Sequence, residues 1–178
     1  KSPSMDILVS SNLERLLFDL TGENDSEVRR YMVALAKKGV YEVRDDVKKG
    51  IREHFWAGFC GEEATSATIA EYYKEKGYLI DTHTAVAANV LEQYRKTTGD
   101  ETLTVFLSTA SPYKFCNHVL TAVGETLSGD GVELLDQLNA VSGVAVPRRL
   151  AGLKGKERRF DQNTEKEGMD AVVLDFLK

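Results

Sequence analysis

Residues 104–115, reading Thr-Val-Phe-Leu-Ser-Thr-Ala-Ser-Pro-Tyr-Lys-Phe, constrain the fold more than any other stretch of the chain. Val105, Phe106 and Leu107 have the β-branched, aromatic and aliphatic character of a short buried strand. Ser108 and Thr109 end that run with two small hydroxyls, and Ser111-Pro112 are the residue types expected at the N-cap and first turn of a helix. The order strand, tight polar loop, helix is the repeating unit of an α/β fold. In an open parallel sheet, ligands bind at the carboxyl end of such a strand, where the free N–H groups of a helix start converge with small side chains. A serine-capped loop that holds no ligand is the other reading of the same residues.

The predicted architecture is therefore α/β, a three-layer body with a mostly parallel sheet flanked by helices. A length of 178 residues is enough for one sizeable core and does not require a second domain. A formal net charge of -5 argues against nonspecific nucleic-acid binding. No apolar run is long enough to cross a membrane, and the opening Lys1-Ser2-Pro3-Ser4-Met5 lacks the apolar segment of a secretory signal. Cys60 and Cys116 form neither a CxxC motif nor a disulfide framework, which fits a cytoplasmic setting. A start without methionine is expected of a processed protein or of a piece cut from a longer one.

In chain order, Ile7-Leu8-Val9 reads as a short strand and Ser10-Ser11-Asn12 as a capping loop before a helix over 13–20. A second helix is predicted over 25–38, where Val28, Met32, Leu35 and Ala36 form an apolar stripe and Gly39 supplies the stop. A charged helix over 45–53 is weakened by Gly50, and the aromatic run 55–60 suits either a strand or a packed connection. Glu62-Glu63 open a clearer helix that runs to Gly77. Tyr78-Leu79-Ile80 then bring the chain to Asp81 or Thr82, either of which can cap a helix from Thr84 to about Lys96. Further helices are predicted over 112–123 and 132–140, with an extended 144–147, a basic connection over 148–160 and an apolar close over 169–177.

The common chemical motifs are absent: there is no GxGxxG, no glycine-lysine phosphate loop and no HExxH zinc helix. Cys116 and His118 are two apart and so face different sides of a helix, which disfavours a metal pair or a nucleophilic dyad. No catalytic residue and no metal ligand is assigned. A small hydrolase or metal enzyme would need His54, His83 or Cys116 to converge with acidic partners, and the local spacing gives that little support. His83, at a helix start, suits a hydrogen-bonded structural role, a general base or a phosphate contact.

Three ordered blocks carry a more specific resemblance: residues 4–15, Ser-Met-Asp-Ile-Leu-Val-Ser-Ser-Asn-Leu-Glu-Arg; residues 77–87, Gly-Tyr-Leu-Ile-Asp-Thr-His-Thr-Ala-Val-Ala; and residues 107–115, Leu-Ser-Thr-Ala-Ser-Pro-Tyr-Lys-Phe. Together they resemble the carboxy-terminal portion of threonine synthase, over essentially all of 1–178. Two positions depart from that family's pattern. Thr82 stands where proline is usual between Asp and His, and Ser111 stands where histidine is common before the proline.

The resemblance implies an incomplete part of a fold type II pyridoxal-phosphate enzyme, of the tryptophan-synthase-β-like class, that converts O-phosphohomoserine and water to L-threonine and phosphate. It also implies that the lysine carrying pyridoxal 5'-phosphate and the glycine-rich loop holding its phosphate lie upstream, so that the isolated chain is inactive and binds no cofactor. Its partners are then the upstream part of the same protein and, in the complete enzyme, O-phosphohomoserine. Carried over residue by residue, the resemblance sets Thr109 at the pyridine nitrogen, with Ser108 beside it as the substitute. Lys114 matches the strand-end block and not the cofactor lysine. A stand-alone interaction module is the alternative, and it would show an apolar groove with no opening toward Ser108 and Thr109.

Overall fold

The computed structural model describes residues 1–2, 7, 9–157, 159–160 and 162–177. Its order is carried by helices: α1 (Ser11–Leu20), α2 (Asp25–Lys38), α3 (Asp45–His54), α4 (Glu62–Lys76) and α5 (Thr82–Thr98). A 3-10 turn, Pro112–Phe115, then leads into α6 (Cys116–Ala122), and a second, Gly131–Glu133, leads into α7 (Leu134–Ser142). The short α8 (Arg148–Ala151) and α9 (Met169–Phe176) close the chain.

At the starts of α1, α2 and α5 a side chain satisfies free backbone N–H groups. Ser10 accepts the N–H of Leu13 ahead of α1, and Asn24 accepts that of Glu27 ahead of α2. Gly39 ends α2 in the left-handed conformation at φ 72°, with its N–H on the Leu35 carbonyl. α1, α2 and α3 enclose a small core of Leu17, Val28, Tyr31 and Val47. The second and larger core joins α4, α5, α6 and α7 through Ile69, Ala85, Val119, Leu120, Leu135 and Leu138. Burying a leucine or isoleucine of this set contributes about 2 kcal/mol through apolar surface removed from water. α5 can lie close against α4 because its inward positions are small. Ala85 and Ala88 are wholly buried, and Asn89 donates to the Thr68 hydroxyl of α4 at 3.2 Å.

The expected sheet is not formed: no residue is in a strand among those described. Ile7 and Val9 are exposed and unpaired, while Leu8 of the same expected strand lies outside the described residues. Residues 101–109 run without helix or strand between α5 and the Pro112–Phe115 turn. The physical reason is that a strand needs a neighbour for its backbone N–H and C=O groups, and none pairs with the run among the described residues. Leu103, Val105 and Leu107 are consequently 91%, 79% and 84% exposed, while the alternate residue Phe106 is half-buried. That alternation is the period of a strand. Phe106 lines a groove of about 660 Å³ together with Trp56, Val90 and Tyr94, and neither Ser108 nor Thr109 lines it.

Two smaller differences have local causes. The helix predicted over 112–123 is broken at Phe115, whose φ of -129° separates the 3-10 turn from α6. The run 55–60 is a connection and not a strand.

Candidate functional site

The amino end of α5 is built around a buried carboxylate. Gly77 ends α4 with φ 62°, a conformation that strains any residue bearing a Cβ, and the chain then passes through buried Leu79 and Ile80 to Asp81. Asp81 has no exposed surface and is the N-cap of α5. A buried carboxylate must be met by hydrogen bonds. Its Oδ1 accepts the backbone N–H groups of His83 at 2.8 Å and Thr84 at 3.4 Å and lies 3.2 Å from His83 Nδ1. Its Oδ2 accepts the Thr84 hydroxyl. The helix start adds its partial positive charge to the same place.

From this cap the polar array crosses to the expected strand end. Thr84 Oγ1 lies 3.0 Å from Ser108 Oγ, a hydrogen-bond distance between residues far apart in sequence. Ser108 and Thr109 are both exposed, and Thr109 has no hydrogen-bond partner among the described residues. Ser111 caps the following turn as its sequence predicts, accepting the N–H of Tyr113 at 3.3 Å, with Pro112 at the first position. Thr82 is wholly buried as the first residue of α5, and its hydroxyl is 3.3 Å from His83 Nδ1. The His83 ring packs on Phe115 with centroids 4.8 Å apart, and its Nε2 is buried with no partner among the described residues. The structure therefore joins Asp81, His83, Thr84 and Ser108, and leaves Thr109 beside them with a free hydroxyl.

Other candidates do not converge. Cys116 Sγ donates to the Tyr113 carbonyl at 3.2 Å, and burial pushes its thiol up, away from the reactive thiolate. His118, two residues on, is held below the ordinary histidine range mainly by burial and shares no hydrogen bond with it. His54 and Glu63 are exposed and form no ion pair with one another. No group of three or more metal-binding side chains occurs among the described residues. The part sequence reasoning missed is Thr84, and the signal for it is local: a capping Asp followed three residues later by a hydroxyl that can return to it.

The polar helix start at Asp81 thus meets the hydroxyl end of an unpaired extended run, and in open α/β sheets ligands bind where a helix start and a strand end converge. Comparison with known proteins gives the family of the chain. Residues 84–173 match the family model for the carboxy-terminal part of threonine synthase. The chain is 35% identical to threonine synthase of Pseudomonas aeruginosa over 158 residues, covering 89% of this chain and 30% of that protein. It superposes on yeast threonine synthase with a TM-score of 0.74 at 28% identity, covering 99% of this chain and 36% of that one. The PLP-bound threonine synthase of Brucella melitensis gives 0.63 at 34% identity, covering 80% and 29%. This chain belongs to the threonine synthase C-terminal family. It spans about a third or less of the length of these relatives.

The strand end also fits one edge of pyridoxal phosphate. Ser108 and Thr109 are neutral, small and exposed, as contact with a pyridine nitrogen requires. Nothing equivalent meets the rest of the cofactor. No described lysine is buried, and Lys114, the lysine nearest in sequence to the strand end, is exposed on its turn.

Proposed function

We propose that this chain is the carboxy-terminal part of an enzyme that converts O-phosphohomoserine and water to L-threonine and phosphate. The observation that carries the reading is the Ser108 hydroxyl, held at the end of an apolar run by an array rooted in a fully buried aspartate. When bound, pyridoxal phosphate supplies the electron sink for removing protons at the substrate Cα and Cβ and releasing phosphate from Cγ. The hydroxyls of Ser108 and Thr109 would hold the nitrogen edge of its ring. α5 fixes the height of that contact, because Asp81 ties Thr84 to the helix start and Thr84 reaches Ser108. Ser111 and Pro112 fix the turn that follows.

The upstream part of the same protein completes the site with the covalent lysine, the phosphate loop and the missing strands. Residues 103–107 then become a strand of a mostly parallel sheet, with Leu103, Val105 and Leu107 covered on the face that is now open. The family match and the partial coverage of its relatives support this division of labour.

The test uses the chain as it stands. Incubated with pyridoxal phosphate, reduced with borohydride and mapped by peptide mass, it yields no stoichiometric adduct on any one lysine, and with O-phosphohomoserine it yields no threonine. A single stoichiometric adduct together with threonine formation would show that the chain is catalytically complete and would end this reading. Joining the upstream part restores turnover and slows amide exchange across 103–107.

A further inference from the structure

Resting on the reading of this chain as the carboxy-terminal part of a longer enzyme, we infer that residues 102–108 are an interaction edge whose register α5 sets in advance, and that its partner is extended backbone of the upstream part, one segment along each side. The run is pinned at both ends. At its start, Asp100 accepts the Tyr94 hydroxyl at 2.6 Å and the N–H of Thr102 at 2.8 Å, while the Arg95 guanidinium donates to the Thr102 carbonyl at 3.4 Å. Trp56 meets the Tyr94 ring edge-on with centroids 5.6 Å apart and holds that hydroxyl in place. At its end, Ser108 meets Thr84 at 3.0 Å. Between the two pins, Thr104 and Phe106 line the groove with Val90 and Tyr94.

Contacts therefore fall on residues 102, 104, 106 and 108, and they step back along α5 from Arg95 to Thr84. Helical rise puts Arg95 and Thr84 about 16 Å apart and extended chain from 102 to 108 covers about 20 Å, so a straight strand crossing α5 at a modest angle fits between the pins. The other parity, Leu103, Val105 and Leu107, is left in the open. No main-chain group of 103–109 makes a hydrogen bond among the described residues. Successive residues of an extended chain send their N–H and C=O groups to opposite sides, so the run offers donors and acceptors along both edges. Backbone that pairs with such an edge must itself be extended. The matched relatives run well beyond the length of this chain, which gives the upstream part polypeptide enough for both sides. Asp100 is then a positioning residue: it fixes where the edge begins before any partner arrives.

Residue-resolved amide exchange in the complete protein, and NMR of this chain kept dilute, test the inference together. In the dilute chain the amides of 103–107 exchange freely, while the sequential amide–Hα contacts across 101–107 are those of an extended backbone. Asp100→Ala loses that extended pattern at 101–104, and Asp100→Asn, which still accepts the Thr102 N–H, keeps it. In the complete protein the amides of 103–107 slow by about 100-fold or more at odd and even positions alike, whatever the protein concentration.

A dilute chain whose 101–107 contacts are those of a coil, or an Asp100→Ala variant that stays extended, overturns the preset register. A complete protein in which every second amide stays fast has a neighbour on one side only and overturns the two-sided edge, and with turnover still dependent on the upstream part it leaves the enzyme reading intact. Protection in the complete protein that grows with its concentration gives the edge to a second copy and overturns the inference as well. Threonine formed by this chain alone ends the enzyme reading itself, and the inference with it.

Discussion

Glu27 in α2 and Asp81 ahead of α5 are the two buried carboxylates among the described residues, and they are satisfied in different ways. Glu27 is met by cations. Its Oε1 accepts from Arg30 at 3.3 Å and from the Tyr31 hydroxyl, and its Oε2 accepts from Arg44, which also grips Asp46 at 2.9 and 2.8 Å. All of these donors belong to the α1–α3 group or the segment linking its helices. Asp81 is met instead by backbone N–H groups, an imidazole and a hydroxyl, and the hydroxyl continues to a second segment. A buried charge neutralised by charges ends its influence locally. One met by a hydroxyl passes its influence on to the next group, as Thr84 does between Asp81 and Ser108.

The comparison breaks most sharply on truncation. Asp81→Ala removes a helix cap and leaves the N–H groups of His83 and Thr84 without their acceptor, so unfolding by urea should show a loss of about 3 kcal/mol. Glu27→Ala should cost about 2 kcal/mol, because Arg30 and Arg44 are partly exposed and regain water while the Tyr31 hydroxyl does not. Equal losses would remove the distinction. Amide substitutions sharpen it. Asn caps a helix about as well as Asp, so D81N should cost about 0.5 kcal/mol, while E27Q, which discharges an ion pair, should cost about 1 kcal/mol in the same assay.

The smallest effect is in acid. The hydrogen bonds from Arg44 hold Asp46 at a pKa of about 2, below the ordinary 3.8. A depressed folded-state pKa contributes stability that is fully present above the unfolded value and is lost as pH falls through the folded one. Arg44→Ala should return the Asp46 titration toward 3.8 and remove this acid-sensitive contribution between about pH 4 and 2. Asp100, held at about 2 by Thr102 and Tyr94, should titrate unchanged in the same carbon-13 NMR experiment.

Much of the helical framework was legible because its signals are local. Asn24 and Gly39 mark both ends of α2, Glu62-Glu63 and Gly77 those of α4, and Ser111-Pro112 the turn after the expected strand. The sheet was not, because residues 104–107 have strand character while strand formation depends on pairing partners, and none is present among the described residues. The Phe115 break was also hidden, since apolar spacing is continuous across it and only the backbone angle separates turn from helix. At the candidate site, Asp81 is the helix cap its residue type suggests, and Ser108 and Thr109 end the apolar run. The contact between Thr84 and Ser108 joins residues on different elements, which periodicity cannot see.

The open alternation of Leu103, Val105 and Leu107 also bears on how such a polypeptide behaves in a test tube. An apolar edge with unused backbone donors and acceptors is a template for any extended segment, including the same segment of another copy. On its own, the chain should self-associate through residues 103–107, and Val105→Lys should keep it dispersed. In a longer polypeptide emerging amino end first, the upstream strands have already left the ribosome when this run appears, and the order of synthesis itself guards against the wrong pairing.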